Sequence, residues 1–417
     1  MAHALPADAM AQLTIAVPGA FAQPRCQCCA YLLDGTAPQV APMPKTSHPS
    51  LVDTHNHAHQ DPGAGAASFA HDGGSTLAVS TVLAVCQEDW APVLSLAASS
   101  AGSEGAELGS TLCIPGLGIH PWYVQDSTRE WETELREELL QHPGAIVGEI
   151  GLCKCAKNLR GPGAKAKYWP MQLDFFSRQL AVAADLNRPA SVHCVNAMGA
   201  LITAIKATAA GRGLPPAVAI HSFSGTALQV REILRLEGTS PPPENKRMRK
   251  ARKMADEKAT AAAEAAAAEA AGAKSSTRGP SGEETAVFVP SPPPRGGGCK
   301  GGEACDSAAT GSQGAGANCT FFFGFSHTVN VAMGCGDSAP KLAKLREAIR
   351  AVPDDRLVIE SDEVGGASGL GRIAAAMGLA VELVAKAKGW DEAHAARVTS
   401  ANGLRFLRAG RGAEAKA

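Results

Sequence analysis

Short apolar segments of strand length recur along the chain from residue 51 onward. They fall at 51–57, 77–85, 112–119, 146–152, 189–195, 216–223, 319–326 and 356–362. Longer amphipathic stretches, in which apolar residues recur every three or four positions, follow most of them. These stretches predict helices at 128–142, 170–187, 197–211, 226–237, 338–351 and 370–388, with a final helix at 391–408. Strands that alternate with helices predict a parallel sheet, because each crossover returns the chain to the start of the next strand.

Eight strand-and-helix units predict an α/β protein whose sheet closes into a (β/α)8 TIM barrel. The barrel domain is expected to comprise residues 49–237 and 319–409, with the final helix packed outside it. Residues 1–48 are rich in Ala and Pro without a sustained period, so we expect an irregular N-terminal extension there, and 410–417 form a short tail. The active site of such a barrel lies at the carboxyl ends of its strands.

A long low-complexity insertion, residues 238–318, interrupts the predicted barrel between its sixth and seventh strands. It passes through Pro-rich, basic, Ala/Glu-rich and Gly/Ser-rich tracts, which cannot supply a packed core, so we expect it to be disordered. One helix is expected within it at 257–271, because Ala is the best helix former. The basic run at 246–253 is interpreted either as a nuclear-import or nucleic-acid-binding segment or as a solvated charge run on a linker.

The charge balance excludes a protein that binds nucleic acid through an overall basic surface. The formal net charge is −1 and the pI is about 6.9, so a polyanionic substrate must be held locally. No apolar run reaches the roughly 20 residues that span a bilayer, and the N-terminus lacks the features of a secretory signal. We therefore expect no membrane contact and a soluble intracellular protein, cytoplasmic or nuclear. Import into an organelle stays open, because residues 1–48 are Ala-rich with few acidic residues.

The candidate chemistry begins in the first predicted strand, which reads Leu-Val-Asp-Thr-His-Asn-His from residue 51. Side chains alternate across a strand, so Asp53, His55 and His57 share one face. The two imidazoles are thereby placed to hold one ion. A lone His-x-His pair is also compatible with an ordinary polar loop entry, so this motif is weak by itself.

Later predicted strands also end in histidine or acidic residues, and in a barrel all of these point to one mouth. They are His120, Glu149, His193, His221, Glu360 and Asp362. Buried imidazoles and carboxylates are costly unless they are paired or bind a metal, and each one taken singly is also interpretable as a core histidine or an ion-pair partner. Together they predict two divalent ions, Zn, Mn or, less comfortably, Mg. The predicted ligands are His55, His57 and Asp362 for the first ion, His193 and His221 for the second, and Glu149 as the bridge.

A series of motifs in this chain resembles the TatD family of metal-dependent deoxyribonucleases and related hydrolases. The motifs are D-T-H-N-H, G-I-H-P-W, G-E-I-G-L, V-H-C, I-H-S-F-S-G, E-S-D and the segment 402–406. The resemblance covers about residues 50–408 apart from the insertion, and the sequences G-I-H-P-W-Y and S-V-H-C-V-N-A are most similar to eukaryotic, fungal-type TatD-like proteins. It implies a barrel of the metal-dependent, amidohydrolase-like type, with the six predicted ligands on the family's ligand positions.

Two positions depart from the family pattern. Cys153 stands where TatD proteins usually have Asp after G-E-I-G-L, and Val195 stands where many members have Arg. Both changes weaken the expected grip on a phosphate, but they leave the six metal ligands in place.

The resemblance implies a phosphodiesterase, in particular a deoxyribonuclease, that uses a metal-activated water on DNA or another phosphodiester. Glu149 positions the ions, and Asp362 is the predicted general base. His120 is expected to contact the substrate at a phosphoryl oxygen. We expect Glu360 either to contact the substrate or to support the metal ligands.

Two other functions stay open at this point. A hydrolase of a small amide or ester would suit a site without the family's Arg, since one fold hosts many chemistries. A non-catalytic barrel would instead be a scaffold, with 238–318 as the segment that orders on a protein partner. The six intact ligands favour the enzyme.

Overall fold

The structure, a computed structural model of the chain, describes residues 50–60, 77–101, 111–237, 319–363 and 369–410. The described residues belong to one compact unit. Several predicted segments lie outside these ranges, and their boundaries stay predictions. They are the extension 1–48, the insertion 238–318 with its helix 257–271 and basic run 246–253, and residues 411–417 of the tail.

Eight parallel strands form one sheet, in the order in which they occur along the chain. They are β1 (Leu51–Asn56), β2 (Leu77–Leu83), β3 (Leu112–Leu117), β4 (Ile146–Cys153), β5 (Ala190–Val195), β6 (Ala217–Ile220), β7 (Thr320–Phe325) and β8 (Leu357–Ile359). The segment after β8 bonds back to the first strand: the Asp362 N–H donates to the His55 carbonyl at 3.0 Å, and the His57 N–H to the Glu363 carbonyl at 2.8 Å. The sheet is therefore a nearly closed barrel, and the predicted fold is confirmed.

Helices lie between the strands, and two more follow the last strand. They are α1 (Trp90–Ala101), α2 (Trp131–Gln141), α3 (Ala164–Asp185), α4 (Met198–Gly211), α5 (Ala227–Leu234), α6 (Ala339–Ala351), α7 (Gly369–Lys388) and α8 (Glu392–Arg408). A π-helical segment, His327–Cys335, follows β7. Within the described ranges, no helix combines the length and the hydropathy that a membrane span requires.

Helix α1 is an element that the apolar pattern did not predict. Its buried residues Trp90, Val93 and Leu96 recur at helical spacing. Pro92 stands in the first turn, where a helix tolerates proline because that N–H has no partner within the helix. The helix supplies the crossover between β2 and β3, a stretch in which the apolar pattern predicts no helix.

Strands β6 and β8 are shorter than predicted. The expected ranges were 216–223 and 356–362, whereas the strands are Ala217–Ile220 and Leu357–Ile359. Ser222 and Asp362 have positive φ angles of 41° and 53°, which lie in the left-handed region and end the extended geometry. The chain therefore leaves the sheet at the points where candidate ligands occur.

Two apolar clusters fill the barrel wall and its inside. The larger cluster joins one face of the strands to helices α1 to α8, with Trp131 and Phe176 among its members. The second joins the opposite face, including Val52 and Phe322, to residues of the last helix. Helix α8, which we expected outside the barrel, adds Leu404, Phe406 and Leu407 to that inner cluster. It thus packs across β1 and β8 instead of joining the outer layer alone.

Glu237 is the last described residue before 238–318, and it is tied to neighbouring strands. Its carboxylate accepts hydrogen bonds from the Phe321 N–H at 2.9 Å and from Arg356 Nε and Nη2 at 2.9 and 3.2 Å. Phe321 is near the start of β7, and Arg356 immediately precedes β8. Glu237 and Cys319, which flank the insertion, therefore lie at the amino ends of the strands, opposite to the carboxyl ends.

Asn402 links α8 to the last strand. Its buried side-chain nitrogen donates to the carbonyls of Asp354 and Leu357, both at 2.7 Å. Replacing Asn402 with Ala leaves these carbonyls without that donor, so we expect the free energy of unfolding to fall by about 1–3 kcal/mol in urea denaturation. The matched change Glu392→Gln, at an exposed position of the same helix, should leave the midpoint unaltered. Equal midpoints for Asn402→Ala and the unmodified chain would contradict this role.

Candidate metal centre

The six side chains predicted as metal ligands meet at the carboxyl ends of the strands. They are His55 in β1, His57 directly after it, Glu149 in β4, His193 in β5, His221 directly after β6 and Asp362 beyond β8. Most of them are almost fully buried, and His193 and Asp362 are slightly more accessible. The sequence prediction that these distant residues share one rim therefore agrees with their positions in the barrel.

One half of the cluster surrounds the two histidines of the first strand. Their Nε2 atoms are 3.3 Å apart. Glu149 Oε2 lies 3.5 Å from the His55 Nε2 and 3.2 Å from the His57 Nε2. Asp362 Oδ1 lies 4.0 and 3.7 Å from the same two nitrogens. Two imidazoles and two carboxylates thus point into one small volume.

The other half of the cluster surrounds the second oxygen of Glu149. Oε1 lies 2.8 Å from His221 Nε2 and 2.9 Å from His193 Nδ1, and these two nitrogens are 3.1 Å apart. The two oxygens of one carboxylate therefore face two different histidine pairs.

The donor set fits divalent ions. Tetrahedral ligands at about 2.0–2.1 Å from Zn²⁺ are separated from one another by about 3.3 Å, close to the nitrogen separations in both pairs. Four groups, each with ligand atoms lying close together, are His55, His57, Asp362; His55, Glu149, His221; His120, Glu149, His193; and His221, Glu360, Asp362. The His, Glu and Asp side chains are thus positioned for metal binding.

Hydrogen bonds behind the first histidine pair orient the imidazoles. The His57 Nδ1 donates to the Leu83 carbonyl at 2.9 Å, which turns its Nε2 to the cluster. The His55 Nδ1 lies 2.9 Å from Ser191 Oγ. Such partners fix the tautomer and the ring angle of a metal-binding histidine.

Removing the hydroxyl of Ser191 should weaken metal binding without removing a ligand. Outer partners of this kind typically contribute 10–100-fold to metal affinity, so we expect Ser191→Ala to raise the Kd for Zn²⁺ or Mn²⁺ by about 10–100-fold in calorimetric titration. Ser99→Ala is the matched control, because the Ser99 hydroxyl bonds only to its own helix, at the Ser95 carbonyl. A Kd that is the same in both variants would show that Ser191 does not support His55.

The cluster holds its charges as ion pairs. Burial would raise the pKa of Glu149, but the charges and hydrogen bonds of surrounding histidines, His221 and His193 among them, hold it well below its usual range. Burial would lower the pKa of His57, but Glu149 and Asp362 raise it to about 9. Burial would also lower the pKa of His221, but Glu149, which this ring faces, holds that pKa well above its usual value. Binding of an ion must therefore displace protons from these imidazoles.

His120 lies at the edge of the cluster. Its ring is 4.4 Å from the ring of His193, and its Nε2 is 3.4 Å from Glu149 Oε1. Burial lowers its pKa well below the usual value, so the ring is neutral. The Trp122 N–H donates to its Nδ1 at 3.3 Å, which leaves the proton on Nε2. A neutral donor therefore faces the cluster.

Glu360 lies behind His221 rather than on the open side of the cluster. It accepts from the Ser222 N–H and from Ser222 Oγ at 2.9 Å, and it lies 3.6 Å from His221 Nδ1. Ser222 Oγ also lies 3.1 Å from Asp362 Oδ2. This carboxylate is 1% exposed, so its position favours the support of metal ligands over contact with substrate.

The sequence prediction assigned no role to three residues that hold the ligands in place. Ser191 lies two residues before His193 in the motif S-V-H, and Ser222 directly follows His221 in the motif H-S-F; this closeness in sequence was the signal that could have found them. Asp53 was placed on the histidine face. Its carboxylate accepts from the His55 N–H at 3.1 Å and from the Ser361 hydroxyl at 2.6 Å, so it fastens β1 to the segment that carries Asp362.

The second glycine of the G-E-I-G-L motif, Gly151, lies where a side chain would not fit. A Cβ at this position would lie 2.0 Å from the His193 carbonyl oxygen, and the φ of the residue is +148°. Only glycine permits β4 and β5 to approach this closely, and that approach brings Glu149 and His193 together.

The two departures from the TatD pattern, Cys153 and Val195, each contact a neighbouring segment. Cys153 is buried and its Sγ accepts from the Trp122 indole N–H at 3.2 Å. Burial opposes ionisation of this thiol, but hydrogen bonds from His193 and Trp122 lower its pKa. Val195 ends β5, and its carbonyl accepts from the Lys154 N–H at 3.0 Å.

This fold and this donor set define a parallel β/α barrel with a candidate divalent-metal centre at the carboxyl ends of its strands. The sequence profile of the TatD-related DNase family matches residues 52–261, which is just over half of the chain. The chain therefore belongs to the TatD-related DNase family.

Curated relatives match shorter stretches. A 3′-5′ ssDNA/RNA exonuclease TatD from Musicola paradisiaca is 32% identical over 130 residues, 31% of this chain and 45% of that protein. An uncharacterized metal-dependent hydrolase from Haemophilus influenzae is 30% identical over 128 residues, 30% of this chain and 45% of that protein. The Cut9-interacting protein scn1 from Schizosaccharomyces pombe is 26% identical over 197 residues, 29% of this chain and 59% of that protein. The chain spans about half the length of these relatives.

Among solved structures, a TatD homolog from Escherichia coli K12 superposes with a TM-score of 0.51 at 18% sequence identity. The match covers 86% of this chain and 97% of that one. At this identity the likeness concerns the fold alone, and it agrees with the barrel described above.

Proposed function

We propose that the protein is a divalent-metal-dependent phosphodiesterase that cleaves DNA. The observation that supports this most strongly is the placement of Glu149, whose two oxygens face two separate histidine pairs. That is the arrangement of a carboxylate that bridges two ions. Such ions, when bound, lower the pKa of a water and stabilise charge on the attacked phosphate.

The chain's own residues have separate roles in this proposal. The first pair, His55 and His57 with Asp362, would hold one ion, and His193 with His221 would hold the other. Asp362 is positioned to take the proton of the attacking water, because its carboxylate lies within the cluster. Its pKa is lowered despite burial, chiefly by His221 and His55, which keeps the carboxylate in the ionised form that can accept a proton.

Neutral His120 donates from Nε2 to a phosphoryl oxygen in the proposed complex. Glu360 acts through His221, whose ring it faces. The identity and the number of the ions, Mg, Mn or Zn and two per chain, belong to the proposal.

The experiment that tests this function is digestion of 5′-labelled single-stranded DNA by the purified protein with Mg²⁺ or Mn²⁺. Shortening from the 3′ end that stops on chelation with EDTA is the expected result. No cleavage of single-stranded or duplex DNA with any of Mg²⁺, Mn²⁺ or Zn²⁺ would overturn it.

A second candidate is a hydrolase of small amides or esters. It is favoured by Cys153 and Val195, which replace the charged Asp and Arg usual in the family. A panel of amides, lactones and esters with the Zn²⁺-loaded protein distinguishes the two, since turnover on the panel should then exceed turnover on DNA.

We also propose that the insertion 238–318 binds a protein partner. The name of the fission-yeast relative, a Cut9-interacting protein, supports partner binding in this family but says nothing of this segment. The cytoplasmic or nuclear location expected from the sequence remains a prediction.

A further inference from the structure

A surface beside the candidate metal centre combines exposed lysines with partly exposed aromatic rings. We call it the basic-aromatic rim and define it as Trp122, Lys154, Lys157 and Trp169. Lys154 and Lys157 are exposed, and the two tryptophans are partly exposed. Lys157 Nζ lies 5.9 Å from the centre of the Trp122 ring, and Lys154 Nζ lies 5.5 Å from that of Trp169.

The rim is joined directly to the candidate metal centre. The Trp122 ring packs 5.6 Å from the ring of His120, and its indole N–H donates to Cys153 Sγ. His120 in turn faces Glu149 at 3.4 Å. A chain bound at the metal centre would therefore pass over Trp122 as it leaves the mouth on this side.

The segment that carries the lysines is held against the segment that carries Trp122. The Asn158 side chain donates to the Pro121 carbonyl at 3.0 Å and to Gln125 Oε1 at 2.6 Å. These bonds fasten the residues after β4 to those after β3, so the rim is one built surface rather than two independent loops.

The segment between Cys153 and Asp174 is more basic than the chain as a whole. Between Cys153 and Asp174 there are basic residues and no acidic ones, whereas the net charge of the chain is −1. The basic residues are Lys154, Lys157, Arg160, Lys165 and Lys167. A local positive surface is what a polyanion requires here, because the chain has no overall basic field.

We infer that the basic-aromatic rim binds the backbone and bases of a single-stranded nucleic acid whose scissile phosphate lies at the metal centre. This inference rests on the proposed phosphodiesterase function. Lysines contact phosphates, while an exposed indole face stacks on a base, a combination typical of single-strand binding. Duplex DNA, whose bases are stacked on one another, offers no free base to Trp122.

The first test measures binding separately from cleavage. A fluorescent single-stranded oligonucleotide is titrated with the Mn²⁺-loaded Asp362→Asn protein over a range of salt concentrations. Adding Lys154→Gln and Lys157→Gln should weaken binding and lower the slope of log Kd against log salt by about 1.4, since each single-strand phosphate contact contributes about 0.7. The matched control is Lys341→Gln with Lys344→Gln, an exposed pair of the same spacing on α6, across the barrel, which should leave the slope unaltered.

The second test addresses the stacking. Trp122→Ala should weaken single-strand binding by about tenfold, whereas Trp122→Phe, which keeps an aromatic face but loses the bond to Cys153, should retain most of it. Equal slopes for the two lysine pairs, equal losses for Ala and Phe, or competition by polyglutamate as strong as by the oligonucleotide would each overturn the inference. Failure of the proposed function is distinguishable, since it would appear as binding without cleavage by the unmodified protein.

Discussion

Replacing Asp362 with Asn is expected to lower kcat for DNA cleavage by about two to four orders of magnitude. Asn keeps the shape of the side chain but cannot accept the proton of the attacking water. The side chain also lies within 4.0 Å of both histidines of the first strand, so the substitution removes an anionic donor from that pair. The measurement is a single-turnover time course on 5′-labelled DNA with saturating Mn²⁺.

A matched control separates this effect from a general loss of structure. Asp174→Asn changes an exposed Asp that pairs with Arg178 on the outer surface, and we expect its kcat to equal that of the unmodified enzyme. The metal content of the Asp362→Asn protein should be determined in the same preparation. Cleavage at the unmodified rate with intact metal content would exclude Asp362 as the general base.

Replacing Glu149 with Ala is expected to remove both ions, because one oxygen of this carboxylate faces each histidine pair. Elemental analysis of the unmodified protein after metal loading and dialysis should give about two equivalents of divalent ion per chain. Glu149→Ala should retain almost none. His193→Ala should retain about one, because His55 and His57 still hold the first ion.

The control for this experiment is His394→Ala, which removes a histidine that packs on Trp390, outside the cluster. Its metal content should match that of the unmodified chain. Retention of about two equivalents by Glu149→Ala would rule out a bridging role, and loss of both ions in His193→Ala would show that the two sites do not fill independently.

The strands of this barrel were predictable because each is an apolar segment bounded by polar residues, and burial on both faces requires that pattern. The convergence of the candidate ligands was predictable for a related reason. Polar residues stand at the ends of apolar strands, namely His55, Glu149, His193 and Asp362. Their burial costs free energy unless they converge on a common partner.

The residues that hold the ligands were not predictable in the same way. Ser191 and Ser222 are small hydroxyl residues that occur in every kind of structure, and their partners lie 136 and 138 residues away or more. The sequence pattern does not predict where α8 packs. An amphipathic pattern indicates which face of a helix is buried, but it does not indicate which elements that face contacts. Which oxygen of Glu149 faces which histidine pair depends on backbone geometry that the sequence pattern does not contain.

The attachment of Glu237 beside the starts of β7 and β8 has a consequence for the integrity of the molecule. A protease cut anywhere within 238–318 would yield two polypeptides, one with β1 to β6 and the other with β7 and β8. Their paired edges would keep them associated, and Asp362 would reach the histidines of the other fragment. Co-expressed halves should therefore reassemble into a complementing two-chain protein whose metal centre is shared between them.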